Sequence, residues 1–218
     1  MRKTASIIVL LIAIFSFSGC YEEGIIGSGV TVTEIRQVDA FDKIASEGVF
    51  QVFFSQAEAQ SVKIVADNNI MHRVKTEVVN GRLKLYMADG KYNKVNLQAH
   101  IKVRDLKEIE NSGAGDMYIE NIIRNGTFKS SNSGSGNIYL DGNCTFLDIK
   151  NEGSGNTLAF DMPAESCKIN LEGSGDVEVT CISDLRINLE GSGNVYYKGY
   201  PSIHSNISGS GRVISKNN

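Results

Sequence analysis

Three tyrosines recur at one position of a repeated motif, and they are the side chains of this chain best suited to hold a ligand. Tyr118, Tyr139 and Tyr196 each lie five residues after the first glycine of a Gly-Ser/Ala-Gly element. A tyrosine offers a large apolar ring with a polar tip, which suits contact with the rings and hydroxyl groups of a sugar. The equal spacing predicts one column of rings and a possible ligand-binding face. The alternative is that the rings pack between neighbouring strands and serve the fold alone.

A second column carries negative charge. Glu152, Glu172 and Glu190 each directly precede a copy of the motif. Like charges on strands about 4.8 Å apart repel one another, and clustered carboxylates are typical of enzymes that cleave polysaccharides. The alternative is an exposed, solvated column. Its charge would then be relieved by the basic residues alongside, Lys150, Lys168 and Arg186.

Residue types needed for metal binding or covalent catalysis are present but scattered. Glycine-rich turns that end in Asp116 or Asp176 are similar to calcium-binding β-rolls, which need oxygen ligands at every turn. The equivalent positions of the other copies hold Asn137, Asn156, Asn194 and Arg212. His72, His100 and His204 pair with no nucleophile in the sequence. The sequence therefore predicts no catalytic residue, no metal and no cofactor.

The tyrosines and glutamates belong to a repeat that fills the second half of the chain. An element of Gly-Ser/Ala-Gly followed by Asp, Asn or Arg occurs six times, at intervals of 18 to 21 residues. Its copies begin at Gly113, Gly134, Gly153, Gly173, Gly191 and Gly209. A sharp corner needs a positive φ or a backbone too crowded for a Cβ atom, and glycine suits both. The Asn or Asp that follows suits hydrogen bonding to neighbouring backbone amides.

The residues around each element alternate with a period of two, which predicts strands with one buried face. Leu185, Ile187 and Leu189 alternate with Arg186 and Asn188. One unit alone exposes its apolar face, so the units must stack. Parallel stacking fits a return every 18 to 21 residues, since a two-residue hairpin would give antiparallel strands. The sequence predicts an all-β parallel solenoid, or β-helix, of about six turns, each with a strand, a corner, a second strand and a loose return loop.

The region before the repeat alternates less regularly and predicts an irregular mixed sheet that caps the solenoid. Strands are expected at 49–54, 62–65, 82–87 and 95–103. Asn80-Gly81 is a hairpin signal. We expect 34–108 to form this N-terminal β region and 109–218 the solenoid repeats, together one continuous domain.

Three cysteines fall within the repeat. Cys144, Cys167 and Cys181 are odd in number, and no pair has the spacing of a zinc motif. At least one must therefore lack an intramolecular partner. We expect small buried side chains rather than a reactive or metal-binding site.

The start of the chain has the composition of an export signal. Arg2 and Lys3 precede an apolar run, Ile7 to Phe17, that is too short to span a bilayer as a helix. The run ends in Ser18-Gly19-Cys20, which resembles the lipobox of bacterial lipoproteins, where the cysteine is acylated. Residues 1–19 are thus predicted to be a signal peptide.

The lipid on Cys20 would anchor the protein in the outer membrane. Residues 20–33 contain several glycines and are predicted to be a flexible tether. Glu22 and Glu23, just after the cysteine, resemble the surface-export signal of lipoproteins in the Bacteroides group, so exposure at the cell surface is an open possibility.

Several segments together resemble the head GIN domain family of autotransporter adhesins, found largely in surface and secreted proteins of Bacteroides-like bacteria. The matching segments are 41–44 with 48–50, then 66–69, 76–78 and 81–83, and then 106–109 leading into 112–116. The resemblance covers roughly 35–215. It implies a right-handed parallel β-helix, and it brings no catalytic or binding residues with it.

Taken together, these features favour a cell-envelope lipoprotein that acts as a non-enzymatic surface binding, adhesion or scaffold module. Its partner would be a glycan or a surface protein, besides the membrane held through Cys20. A nucleic-acid partner is not expected, because 22 Lys and Arg stand against 25 Asp and Glu. The alternative is a carbohydrate-active enzyme, a polysaccharide lyase or hydrolase, on a β-helix scaffold. A regulatory role in the envelope also stays open.

Overall fold

A computed structural model describes residues 24–217, so the predicted signal peptide and Cys20 lie outside the described residues. The fold is all-β, apart from a 3-10 turn at Met71–Arg73. The strands are β1 (Ile25–Ile26), β2 (Thr31–Arg36), β3 (Lys43–Ser46), β4 (Gln51–Gln56), β5 (Ser61–Asp67), β6 (Val74–Val79), β7 (Arg82–Met87), β8 (Tyr92–Asn93), β9 (Leu97–Val103), β10 (Glu108–Asn111), β11 (Met117–Asn132), β12 (Ile138–Asn151), β13 (Thr157–Leu171), β14 (Val177–Leu189), β15 (Val195–Lys198), β16 (Ser202–Ile207) and β17 (Val213–Ser215). Within 24–217, no helix is long and apolar enough to cross a membrane.

Parallel pairing stacks these strands into two faces, which confirms the predicted solenoid. The first face runs in the order β6, β7, β3, β10, β11, β12, β13, β14 and β16, with only β6 antiparallel to its neighbour. The second runs β2, β5, β9, β4, β11, β12, β13, β14, β15 and β17. The four long strands β11 to β14 take part in both faces, because each bends as it passes from one to the other. Their inward side chains form a continuous apolar core.

The N-terminal region is the predicted mixed sheet, and it also supplies one turn of the solenoid. β3 pairs in parallel with β10, and β4 with the start of β11, so the corner at 47–50 stacks on the first repeated corner. The hairpin of β6 and β7 turns at Asn80 and Gly81, whose φ angles are 53° and 73°. This is the turn geometry that the Asn-Gly signal predicts.

The loose return loop is not found in the middle of the solenoid, and that prediction was wrong. β11 to β14 are continuous strands of 13 to 16 residues whose register shifts mark bulges. Ala164 lies inside β13, is buried, and pairs with Cys144 on one side and Cys181 on the other. The return segments keep their backbone hydrogen bonds because each has a neighbour of similar length above and below.

The glycines of the repeated corners are required by crowding. A Cβ atom on Gly155 would lie 2.0 Å from the carbonyl oxygen of Gly136 in the turn below. None of the repeated glycines is among those with a positive φ, so of the two requirements only close approach applies. The corners are joined by backbone bonds such as Gly155 N–H to the Gly134 oxygen, at 3.2 Å.

The residue after each second glycine joins successive corners through its side chain, as predicted. The Asn137 N–H donates to Asp116 Oδ1 at 2.7 Å, and the Asn156 N–H to Asn137 Oδ1 at 3.0 Å. Asp176 accepts the Asn194 N–H at 2.7 Å in the same way. The two aspartates therefore do the same structural work as the asparagines. No group of three metal-ligating side chains occurs in residues 24–217.

Residues 24–33 differ from the tether predicted for 20–33. β1 pairs with β8, and β2 starts at Thr31 and pairs with β5. The buried carboxylate of Asp67 accepts the Gly29 N–H at 3.0 Å and the Asn96 N–H at 2.7 Å. Glycine at position 27 permits this approach, since a Cβ there would lie 2.2 Å from the same carboxylate.

The three repeat cysteines are free and buried, as expected. Burial raises the pKa of the Cys144 thiol to about 11. The hydrogen bond that the Cys167 thiol donates to Cys181, together with burial, raises the pKa of Cys167. Thiolates at these two positions are consequently scarce at neutral pH.

We therefore predict that Cys144 and Cys167 resist alkylation in the native protein. At about pH 8 only about one Cys144 thiol in a thousand is ionised, so iodoacetamide should leave it and Cys167 intact. The same reagent should label both in guanidinium chloride, with peptide mass spectrometry as the readout. Rapid labelling of Cys144 in the native state would contradict the packing described.

Candidate functional site

A ladder of stacked rings runs across the second face. Phe53 pairs with Tyr118 and Tyr118 with Tyr139 in the parallel register. The Tyr118 and Tyr139 centroids are 4.8 Å apart with ring planes 3° from parallel, and Phe53 lies 5.2 Å from Tyr118 at 7°. His100 extends the stack beyond Phe53, at 5.0 Å. We call these four side chains the aromatic ladder.

The structure brings together two of the three predicted tyrosines. Tyr118 and Tyr139 are direct neighbours, whereas Tyr196 stands in the same column but three strands beyond Tyr139. Leu158 and Glu178 occupy the positions between them. The Tyr196 ring is covered instead by the Lys216 ammonium group, 4.8 Å from its centroid. Tyr118 and Tyr139 thus stack between turns and stabilise the fold, and their role in a ligand-binding face stays a prediction.

Sequence reasoning missed Phe53 and His100. Phe53 follows Gly48 by five residues, the same spacing that relates each tyrosine to its glycine. It was overlooked because the corner at 47–50 lacks the second glycine. His100 comes from β9 of the mixed sheet, where no repeat provides a spacing.

Stacking leaves one ring face at the end of the ladder. Both faces of the Tyr118 ring are covered, one by Phe53 and the other by Tyr139. Tyr139 is followed in the column by Leu158 rather than by another ring. A groove of about 290 Å³ opens at this point. We call it the ladder groove; it is lined by Tyr118, Tyr139, Leu158, Phe160, Glu178 and Lys198, with Glu120, Asp141 and Asp161 beside them.

The charged groups of the ladder groove are held against apolar surface. The Lys198 ammonium group lies 4.3 Å from the centroid of Phe160, within the range of a cation–π contact. Burial raises the pKa of the half-buried Glu178 above its usual range, against the opposing effect of Lys198. The groove therefore offers an apolar floor, hydroxyl and carboxylate hydrogen-bonding groups, and one cation.

The ladder itself carries no charge near neutral pH. Burial and the neighbouring Asp116 raise the pKa of Tyr118, whose hydroxyl donates to Asp116 Oδ2 at 3.3 Å. Burial, and then the charge of Lys63, lower the pKa of His100. A phenol and a neutral imidazole thus stack on Phe53, which keeps this surface apolar with polar edges.

The glutamate column lies on the other face of the solenoid and is exposed. The Lys150 ammonium group lies 2.8 Å from the Glu152 carboxylate, and the Asn188 amide donates to Glu190 at 2.8 Å. Glu172, between them, faces solvent. These contacts fit the solvated alternative, and no enclosed cleft gathers Glu172 with a base in the described part of the chain.

Solved structures from Bacteroides and Parabacteroides share this architecture. The chain is similar to a putative adhesin from Bacteroides fragilis NCTC 9343, with 21% identity and a TM-score of 0.72 over 88% of this chain and 100% of that one. A putative adhesin from Parabacteroides merdae ATCC 43184 shares 21% identity, with a TM-score of 0.51 over 88% and 99%. A putative lipid binding protein from Parabacteroides distasonis ATCC 8503 shares 23%, with a TM-score of 0.52 over 89% and 100%. At these identities the likeness shows the fold.

Comparison of the sequence with family profiles identifies the family of this chain. No curated protein matches the chain. Residues 40–201 match the profile described as putative auto-transporter adhesin, head GIN domain. This range covers the mixed sheet from β3 onward, the aromatic ladder and most of the repeat. The chain belongs to the head GIN domain family of putative auto-transporter adhesins.

Proposed function

We propose that the protein is a lipid-anchored envelope module that binds a glycan in the ladder groove without chemically changing it. The observation that carries this proposal is the end of the aromatic ladder. Tyr139 is the last ring of the stack and lines a groove that continues along Leu158 and Phe160. A sugar ring placed there would meet apolar surface on one side and polar groups at its edges.

The groove suits binding because it is preorganised. Tyr118 and Tyr139 are fixed by ring stacking, and strands on both sides hold their backbones. Phe160 is similarly placed, with its carbonyl bonded by the Thr180 hydroxyl at 2.7 Å. Binding a ligand then costs little conformational entropy, because the side chains of the site are already ordered.

The anchoring part of the proposal rests on the lipobox-like ending at Cys20. Membership of the adhesin family supports a surface or envelope location, and acylation of Cys20 would hold the protein in the outer membrane. The mixed sheet stands between the anchor and the repeats along the chain. The ladder groove, formed by β11 to β15, would then lie beyond it and away from the anchor.

We predict that Tyr139→Ala weakens glycan binding while Tyr196→Ala leaves it intact. The two residues share a column, but only Tyr139 lines the groove. Loss of its ring should weaken binding about tenfold, since aromatic contact contributes about 0.5–1.5 kcal/mol beyond the burial of area and about 1.4 kcal/mol corresponds to a factor of ten. A glycan array followed by calorimetry on the best hit gives the measurement.

Thermal melting of each variant serves as the control for folding. Equal loss in the Tyr139 and Tyr196 variants would remove the groove from the argument, as would unchanged binding in both. Release of new sugar ends from a bound polysaccharide, lost in Glu178→Gln, would instead favour the carbohydrate-active enzyme. In that case the raised pKa of Glu178 would suit a general acid.

A further inference from the structure

The first face carries a charge pattern that the ladder groove does not explain. One outward position on successive strands holds Lys43, Glu108, Lys129, Asp148, Lys168, Arg186 and His204. From Lys43 to Lys168 the sign alternates at every strand, so each charge lies beside an opposite one, which stabilises the sheet. The alternation stops there, and Arg186 and His204 continue the column with two more basic side chains.

At the other end of the same face two basic residues are also adjacent, and one of them is paired with two carboxylates. Arg82 lies beside Lys43. Its guanidinium group is bound by Glu108 at 2.6 Å and by Glu110 at 2.7 Å. Two carboxylates of β10 thus offset the charge of this pair of cations.

The C-terminal end lacks this compensation. Asp184 is the carboxylate that contacts two of the three basic residues, 2.9 Å from Arg186 Nε and 3.7 Å from His204 Nε2. Within residues 24–217, Lys168 takes part in no ion pair. The Arg186 and His204 side chains are 69% and 70% exposed. The positive charge of Arg186 therefore faces solvent beside that of the exposed Lys168, at a cost to the stacked strands.

A column of amides runs beside the cations. Asn170, Asn188 and Asn206 pair across the same strands, and the Asn206 amide donates to Asn188 Oδ1 at 3.0 Å. Between the two columns lies a trough of about 650 Å³, which we call the basic trough. It is lined by Lys168, Arg186, His204, Asn170, Asn188 and Asn206.

We propose that the basic trough is a second binding site, which holds an acidic polysaccharide laid along the solenoid axis. The cations stand in a straight line about 4.8 Å apart from strand to strand, and this suits an extended chain with regularly spaced anionic groups. The amide column would hydrogen bond the other edge of that chain. Glu172 and Glu190 stand beyond the amides, about 13 Å along the strand from the cations, and so limit the site to a narrow chain. A membrane surface, being flat, would use neither wall of the trough.

The test is binding of the full chain to dextran sulfate, with uncharged dextran as the reference. Binding should weaken as salt is raised. The double substitution Lys168→Gln with Arg186→Gln should reduce affinity about tenfold or more. Lys129→Gln is the matched control, because Lys129 occupies the same column between Glu108 and Asp148. Its loss should leave affinity within about twofold of the wild type.

Other outcomes overturn the proposal. They are no binding by the wild-type chain, an equal effect of Lys129→Gln, or preferential binding to anionic phospholipid vesicles with the same dependence on Lys168 and Arg186. Far-UV circular dichroism and melting confirm that the variants fold, as expected for exposed positions. Tyr139→Ala should not alter this binding, so failure here and failure of the ladder groove are separate results.

Discussion

Gly155→Ala is expected to unfold or strongly destabilise the protein, although it adds a single methyl group. Gly155 lies in a middle turn, where the new Cβ would stand 2.0 Å from the Gly136 oxygen. The obstructing atoms belong to backbone, which moves only if the turns separate. Separation would break bonds such as Gly155 N–H to the Gly134 oxygen. We expect a loss of about 3 kcal/mol or more in the free energy of unfolding, measured by urea titration.

Ser154→Ala is the matched control. Ser154 occupies the exposed middle of the same corner, and Ala114 already stands at the equivalent position of an earlier turn. Its substitution should change stability by less than about 0.5 kcal/mol. A Gly155→Ala variant as stable as Ser154→Ala would show that the turns can move apart, and the crowding argument would fail.

Crowding also explains which corners the sequence reveals. The repeated corners need two glycines because another turn lies beneath each of them. The first corner has Gly48 with a φ of 85° and no atom within 4 Å of a Cβ built there, and it carries Phe50 where the repeats have the second glycine. No further glycine corner stacks under this one, so a second glycine is not needed at position 50. A search for the repeat therefore finds every turn except the first.

The site could be predicted only where it follows the repeat. Five-residue spacing from a glycine places Tyr118 and Tyr139 in one column, and the same rule extends to Phe53. The groove also requires Phe160 and Lys198, which lie beyond a register shift between Tyr139 and Asp141. Bulges depend on how two strands of unequal length meet, and single-sequence periodicity does not contain that information.

The two binding surfaces differ in what the fold demands of them. The aromatic ladder stabilises the second face by stacking, so its rings serve the structure and end in a site. The pairing of Lys168 with Arg186 opposes stacking, because neighbouring strands bring like charges together. A feature that costs stability is the stronger indication of a binding role. This contrast is why the basic trough is worth testing independently of the ladder groove.

Asn132→Asp is expected to make stability depend steeply on pH. The Asn132 side chain is buried; its amide donates to the Gly136 oxygen at 2.9 Å, and its Oδ1 accepts the Gly134 N–H at 3.2 Å. An ionised aspartate would lose the donor and turn a charge toward the Gly136 carbonyl. We expect a loss of about 3 kcal/mol or more at neutral pH relative to the wild type.

The direction of the pH effect follows from the protonation states. Burial and the facing carbonyl would raise the pKa of the introduced carboxyl in the folded state above its unfolded value of about 3.9. The folded protein then binds the extra proton more tightly, so the deficit should shrink as pH falls and be smallest below about pH 4. Asn170→Asp, on the outward side of β13, should show no such dependence. Chemical denaturation of both variants at several pH values, each against wild type, gives the comparison.

A leucine at the same place separates charge from lost hydrogen bonds. The column that contains Asn132 and Asn151 continues with Leu171, and there the corner keeps its backbone bonds, with the Gly173 N–H 3.1 Å from the Asn151 oxygen. Asn132→Leu should therefore cost less than Asn132→Asp and show no recovery in acid. If the two variants lost the same stability at every pH, the buried amide would act only by filling space, and its bonds to Gly134 and Gly136 would not hold the corner.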